Sequence, residues 1–441
     1  MNTKITYKEY LAIAIPFVVS TVTQPLLGAV DTAVLGRLDD SAFMGGVAIA
    51  AVIFNTMYWL LGFLRVSTSG FAAQSLGTQS EQDKLFALLR PAIIAIAISL
   101  FFVLFQTSIK NGAEMVFNTN SDVWQSAVIY YDILIWGAPF VLIGYVNLGW
   151  LMGRKLIKET LYLQVSMNII NIILDIFLVL YLDMGVYGVA YATLFSQGFG
   201  FFVGIYLITN QISIKNIFRK QNDLFEKEEF SKIMGVNTNF LIRTICLLIM
   251  TNMFIAKGTS FGKEVLAANA VLFQLQYIIA YFYDGFANAS SIYSGKALGE
   301  KNLNIYKRIV KISNVSTLYL SVIFVVLVSI FSSELISLFT TLDEVKTLAN
   351  QYSIWLIIFP IAIGHGLTFA GLYNGATFTG PVRDSLIISL FVFLVAYFFA
   401  IPIWGNHGLW LAFILFSFSR SITFIFYLKK MERSLFKGLN D

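Results

Sequence analysis

Hydrophobic positions in this chain come in long unbroken runs, not in short alternations of apolar and polar residues. Twelve runs are long enough to cross a membrane as helices, at about residues 9–36, 41–76, 84–108, 122–152, 158–182, 186–208, 230–256, 263–298, 304–331, 345–376, 383–404 and 407–428; a span needs roughly 20 apolar residues. Several exceed the membrane thickness, which implies tilt or protrusion into water. The polar connections are short except for 211–232 (QISIKNIFRKQNDLFEKEEFSK), the most polar stretch of the chain. The pattern predicts an all-α polytopic membrane protein of twelve transmembrane helices. A six-helix lobe is expected over 1–210, a connector over 211–232 and a second six-helix lobe over 233–441.

Composition agrees. The chain is 57% hydrophobic and 12% charged, with a mean hydropathy of +0.75, where a soluble protein keeps about a quarter of its residues charged. The net charge of +5 does not point to nucleic acid, because the basic residues sit between the apolar runs. Alternate connections, starting from the N-terminal tail, carry 22 of them and the opposite connections 5, leaving Arg65, Arg243 and Arg420 inside runs. That asymmetry predicts both termini in the cytoplasm, an even number of spans and a plasma (inner) membrane location. The first run is too long for a cleavable signal peptide and contains Pro16 and Pro25. A single cysteine, Cys246, excludes an intrachain disulfide. Two separated histidines and the lack of a His-Glu-x-x-His motif offer no catalytic or metal-dependent constellation, so neither an enzyme nor a cofactor is expected.

The halves repeat. Gly149-Trp-Leu-Met-Gly153 recurs as Gly371-Leu-Tyr-Asn-Gly375, 222 residues on, and Leu76-Gly77 as Leu298-Gly299 at the same shift. Pro139 matches Pro360 at 221, and the Gly185-Val-Tyr-Gly188 opening matches Gly405-Asn-His-Gly408 at 220. With six spans each, both halves enter from the same side, so their symmetry axis runs along the membrane normal, the layout of an alternating-access carrier.

Polar groups inside the runs supply the chemistry. Asp31 lies one to two turns inside the end of the first run, where a carboxylate is costly and marks an ion or proton site. Thr21, Gln24 and Gly28 lie near its face. The fifth run carries Gln164, Asn168, Asn171 and Asp175 on one helical face, and the sixth adds Thr193 and Gln197. Such a stripe must face other helices or water, not lipid. Hard oxygen ligands suit Na⁺, with Asp175, Asn171 and Thr193 as its ligands, and two nearby carboxylates suit a proton. The bland reading is a hydrogen-bond network that packs helices. At the repeat shift Asp31, Asn171, Asp175 and Thr193 become Met253, Phe393, Tyr397 and Phe413, so the cation site belongs to the first half only. In the second half Tyr277, Tyr281, Asp284 and Asn288 share a face, and Arg243 lies in the seventh run. Asp284 is expected either to be neutralised by Arg65 or Arg243 as an inter-lobe gate or to attract substrate. His365 in the tenth run reads as a packing residue that could also sense pH.

The first-run aspartate, the Asn171…Asp175 pair and the Gly185-x-x-Gly188-x-Ala-x-Ala-Thr193 opening resemble the multidrug and toxic compound extrusion (MATE) transporters over nearly the whole chain. Phe63-Leu-Arg65-Val-Ser-Thr-Ser-Gly70-Phe-Ala-Ala-Gln74 and Asp284-Gly-Phe-Ala-Asn288-Ala-Ser-Ser resemble its DinF-like branch. The resemblance implies a V-shaped antiporter of two pseudo-symmetric lobes that exports amphipathic organic cations and other toxic compounds against inward H⁺ or Na⁺. It implies Asp31 in coupling, Asn171, Asp175 and Thr193 around the same cavity, and a bend of the first helix at Pro16 or Pro25. The acidic residues that NorM-like relatives use in spans seven and ten are not evident, against a cation site in the second half. The expected partners are a small organic solute and the bilayer, not nucleic acid, with the chain read as a monomer. A lipid-linked precursor flippase of the same superfamily is the rival reading. It would want extra helices or a strongly cationic cavity.

Overall fold

The computed structural model describes residues 5–22, 41–117, 121–212 and 224–436, and no β-strand occurs among them. Among the described residues, ten helices are long and apolar enough to cross a membrane. The first run appears as Tyr7–Val22, the rest of it lying outside the described residues. Spans two to six are Gly45–Thr78, Glu81–Leu104, Ser121–Gly153, Ile157–Tyr181 and Gly185–Thr209. Spans seven to ten are Lys227–Thr259, Lys263–Gly299, Leu303–Ser337 and Asp343–Gly375. The last helix, Gly380–Leu435, holds two spans joined at Gly405, whose φ of 55° and ψ of −127° break the helix. Its repeat mate Gly185 also has a positive φ, 53°. Gly405's pair of angles is one that only glycine takes without strain, and both glycines stand where the chain turns between the last two spans of a half.

Span nine runs past its expected end at 331, but Phe331 itself is non-helical (φ −113°, ψ 16°), so the sequence boundary is a kink. Span four is interrupted by a 3₁₀ turn at Ile135–Gly137, ahead of Pro139. Pro360, its mate, sits inside an unbroken helix, and its carbonyl accepts hydrogen bonds from Tyr283 Oη at 3.2 Å and Ser321 Oγ at 3.0 Å.

The repeat is built into the packing. A Cβ on Gly149 would strike the carbonyl oxygen of Arg65, and one on Gly153 that of Ser69. A Cβ on Gly371 would strike the carbonyl oxygen of Ala287, and one on Gly375 that of Ser291. The backbones touched are 222 residues apart, as are the glycines. In lipid, small residues let helix backbones approach where no hydrophobic force between helices exists. Span four is thus seated on span two, and span ten on span eight, by one device used twice.

By internal contacts the chain forms two units, Val22–Met234 and Met1–Thr21 with Gly235–Asp441. The lobe expected over 1–210 therefore differs from the unit found, because the first helix packs with the second half. Tyr10 Oη donates to the carbonyl of Phe286 at 2.9 Å, and Thr21 Oγ1 to that of Tyr281 at 3.1 Å. Gly285 is so close to Val18 and Ala14 that a side chain there would collide with their backbone.

Candidate functional site: a polar cavity in the first unit

Span five presents its polar stripe inward. Asn171 is 4% and Asp175 1% exposed, and Gln164 and Asn168 are half-buried. The opposite face, with Tyr162, Ile169 and Ile173, is exposed, as lipid contact requires. Directly after Asp175 the helix widens into a π-helical turn over Ile176–Tyr181. Such local widenings inside α-helices are frequent at functional sites. Gly188 of span six lies against the backbone of Leu178 in that turn, which brings the two spans together.

Asn168, Asn171, Thr193 and Gln197 line one cavity of about 470 Å³, closed by aromatic walls that include Tyr58 and Tyr145. Asp175 lies one turn further along the same face of span five. Asn171 Nδ2, Gln197 Oε1 and Tyr58 Oη are buried and have no hydrogen-bond partner among the described residues. Buried polar atoms are nearly always paired, so Gln197 Oε1 and Tyr58 Oη are open to water, a cation or a solute, and the Asn171 Nδ2 amide is open to an acceptor on water or a solute. Amide, hydroxyl and carboxylate oxygens on neighbouring helices are the hard donors a small cation takes, and a carboxylate also takes a proton. Arg65 lies close enough to Tyr145 for its charge to act on that phenol. Asp31, Gln24 and Pro25 lie outside the described residues. Pro16 lies within the helix Tyr7–Val22. Thr21, placed by sequence near the face of Asp31, is engaged with the carbonyls of Phe17, Val18 and Tyr281.

In the second unit, Tyr277, Tyr281, Asp284 and Asn288 do share the less-buried face of span eight. The charges of Asp284 and Arg243 both act on Arg420 of span twelve, which is 4% exposed. Arg420 had no assigned role in the sequence reading, although it was one of only three basic residues inside a run. Tyr58 was missed because an isolated tyrosine in a run carries no signal. His365 is held by Asn314, Nε2 to Oδ1 at 2.9 Å, in keeping with a packing role. The repeat positions of the polar cluster hold packed aromatics: Phe413 stacks on Phe359 at 5.7 Å between ring centres and meets Trp410 edge-on, and Phe393 lies against Tyr397.

Comparison with known proteins assigns the chain to a family. The MatE family model matches twice, over residues 16–177 and 239–401, one match for each half of the repeat. The chain is 31% identical to the DNA damage-inducible protein F of Escherichia coli over 415 residues, 93% of this chain and 89% of that protein. It is 22% identical to a probable multidrug resistance protein NorM of Shewanella oneidensis, covering 97% of this chain and 95% of that one. Its fold matches a crystal structure of MATE in complex with MaD3S with a TM-score of 0.86 at 17% identity, over 98% of this chain and 97% of that one. It also matches an outward-facing multidrug resistance MATE family transporter of the MOP superfamily, with a TM-score of 0.85 at 17% identity over the same shares. The twofold match and the extent of the relationship to protein F establish that this chain belongs to the MatE family of MATE transporters.

Proposed function

We propose that this protein is a cation-coupled antiporter that exports amphipathic organic compounds by alternating access. Asp31, Asp175, Asn171 and Thr193 bind H⁺ or Na⁺, with Gln24, Gln164 and Asn168 as accessory groups. Occupation by the cation favours one conformation and solute binding the other, and coupling needs only that the two ligands prefer different states or compete for one site. Pro16 or Pro25 gives the first helix a place to bend as Asp31 changes charge. The protein works in the plasma membrane as a monomer with both termini in the cytoplasm, in line with the 22-to-5 division of basic residues. The observation that carries this reading is the cavity of about 470 Å³ whose buried amide and phenol atoms lack hydrogen-bond partners among the described residues. A pure packing network would have paired them.

The test is dye efflux from proteoliposomes carrying an imposed cation gradient. Asp175→Asn keeps the shape and removes the ionisable group. Gradient-driven efflux is expected to fall to the level of empty liposomes while the variant still inserts and elutes as folded protein. Efflux at the wild-type rate would overturn the assignment of Asp175.

A further inference from the structure

The second unit contains a smaller cavity that the coupling scheme leaves unused. It lies between spans seven and eight and has a volume of about 230 Å³. Thr251, Phe254, Asn269, Phe273, Gln274 and Tyr277 are among the residues that line it. Its walls are rings. Phe254 meets Phe273 edge-on at 4.7 Å between ring centres, and the two rings lie 5.1 and 5.5 Å from that of Trp410. Tyr277 continues the row, 6.0 Å from Phe273.

Asn269 gives the cavity a fixed floor. Its Oδ1 accepts from Trp410 Nε1 at 2.8 Å and from Asn406 Nδ2 at 2.9 Å, and its Nδ2 donates to Asn406 Oδ1 at 2.8 Å. An amide oxygen has two lone pairs, so this one has none left for a further donor. Among the described residues that line the cavity, none is charged. The mouth differs from the floor. Gln274 and Tyr277 are exposed and stand on the same face of span eight as Tyr281, Asp284 and Asn288. A polar stripe with a carboxylate in it does not face lipid, so the cavity opens toward water rather than toward acyl chains.

We propose that this cavity receives the aromatic ring of an exported amphipath, whose polar end stays at the mouth beside Gln274. The inference rests on the efflux reading and narrows its solutes to compounds with a flat ring at one end. An apolar cavity of about 150 Å³ accepts a benzene molecule, so this one has room for one or two fused rings. Edge-to-face approach to Phe254 and Phe273 favours an aromatic ring over a saturated chain of similar size. A charged end would lose its water at the floor and find no counter-charge or open acceptor there, which makes the solute enter ring first.

Two radiolabelled amides of similar size test this: 2-naphthylacetamide and decanamide. Each is titrated into the full-length protein in nanodiscs, and saturable binding over empty nanodiscs is measured. The wild type is expected to bind the naphthyl amide about tenfold tighter, the scale of one or two ring contacts. Ala270→Trp from span eight and Thr251→Trp from span seven each fill the cavity and are expected to abolish the preference. Ile245→Trp, at an exposed position of span seven outside the cavity, is expected to keep it. Equal or tighter binding of decanamide by the wild type needs no variant, would mark a groove for acyl chains and would overturn the proposal. So would an unchanged preference in either filled variant once folded, or its loss in Ile245→Trp. Gradient-driven dye efflux by the wild type, measured in parallel, tells two failures apart. If efflux runs without a preference for the ring, this inference alone fails; if no efflux runs, the antiporter reading fails.

Discussion

The two halves of this transporter share a backbone device and differ in what fills their cores. Glycines 222 residues apart seat span four on span two and span ten on span eight. Around that common frame the first unit keeps a cavity of about 470 Å³ lined by Asn168, Asn171, Thr193 and Gln197. At the corresponding positions the second unit packs Phe393 and Phe413 against Phe359, Trp410 and Tyr397. The charges are not repeated either: Asp175 has Tyr397 as its mate, and Asp284 has Gly62. A duplicated fold therefore does not imply duplicated chemistry. At these positions the first half has space and polar atoms without partners among the described residues, and the second half has packed rings, which stabilise.

That contrast can be broken experimentally. The largest effect is expected from giving the first half the second half's residue. Asn171→Phe fills the cavity, and efflux in proteoliposomes should fall to background with the protein still folded on size-exclusion chromatography. The reciprocal change should act on stability instead. Phe413→Ala removes a ring from a packed cluster and should cost about 3–5 kcal/mol, read by reversible unfolding in bicelles, without giving the second half a cation dependence of its own. A smaller loss, about 1–3 kcal/mol for overpacking, is expected from Gly371→Ala and from Gly149→Ala, each of which sets a methyl group against a backbone carbonyl. Similar losses from the two would sharpen the claim that the frame is shared, and a loss in one only would break it. The smallest effect, about 1 kcal/mol, is expected from Tyr10→Phe, which loses the bonds to Phe286 and Ser290 that fasten the first helix to the second unit.

Much of this was legible because membranes simplify the code. The long apolar runs marked the spans to within a few residues, and the glycine pairs at 221 ± 1 residues marked the repeat. The polar stripe of span five was readable because amides and a carboxylate on one face of an apolar helix have few places to go. The grouping of residues 1–21 with the second half was not readable, because Tyr10 finds its partners 276 and 280 residues away and nothing local announces them. Nor was the π turn after Asp175, which depends on how spans five and six meet at Gly188. Arg420 was visible as a charge inside a run, but its nearness to Arg243 and Asp284 exists only in three dimensions.

The central claim, proposed above, is that coupling resides in one half, on Asp31 together with Asn171, Asp175 and Thr193. It is tested most directly by solute efflux from proteoliposomes under Na⁺ and pH gradients imposed separately, for the wild type and Asp31→Asn. The account predicts that one of the two gradients drives the wild type and that neither drives the variant. Pumping by Asp31→Asn at the wild-type rate under either gradient would contradict it.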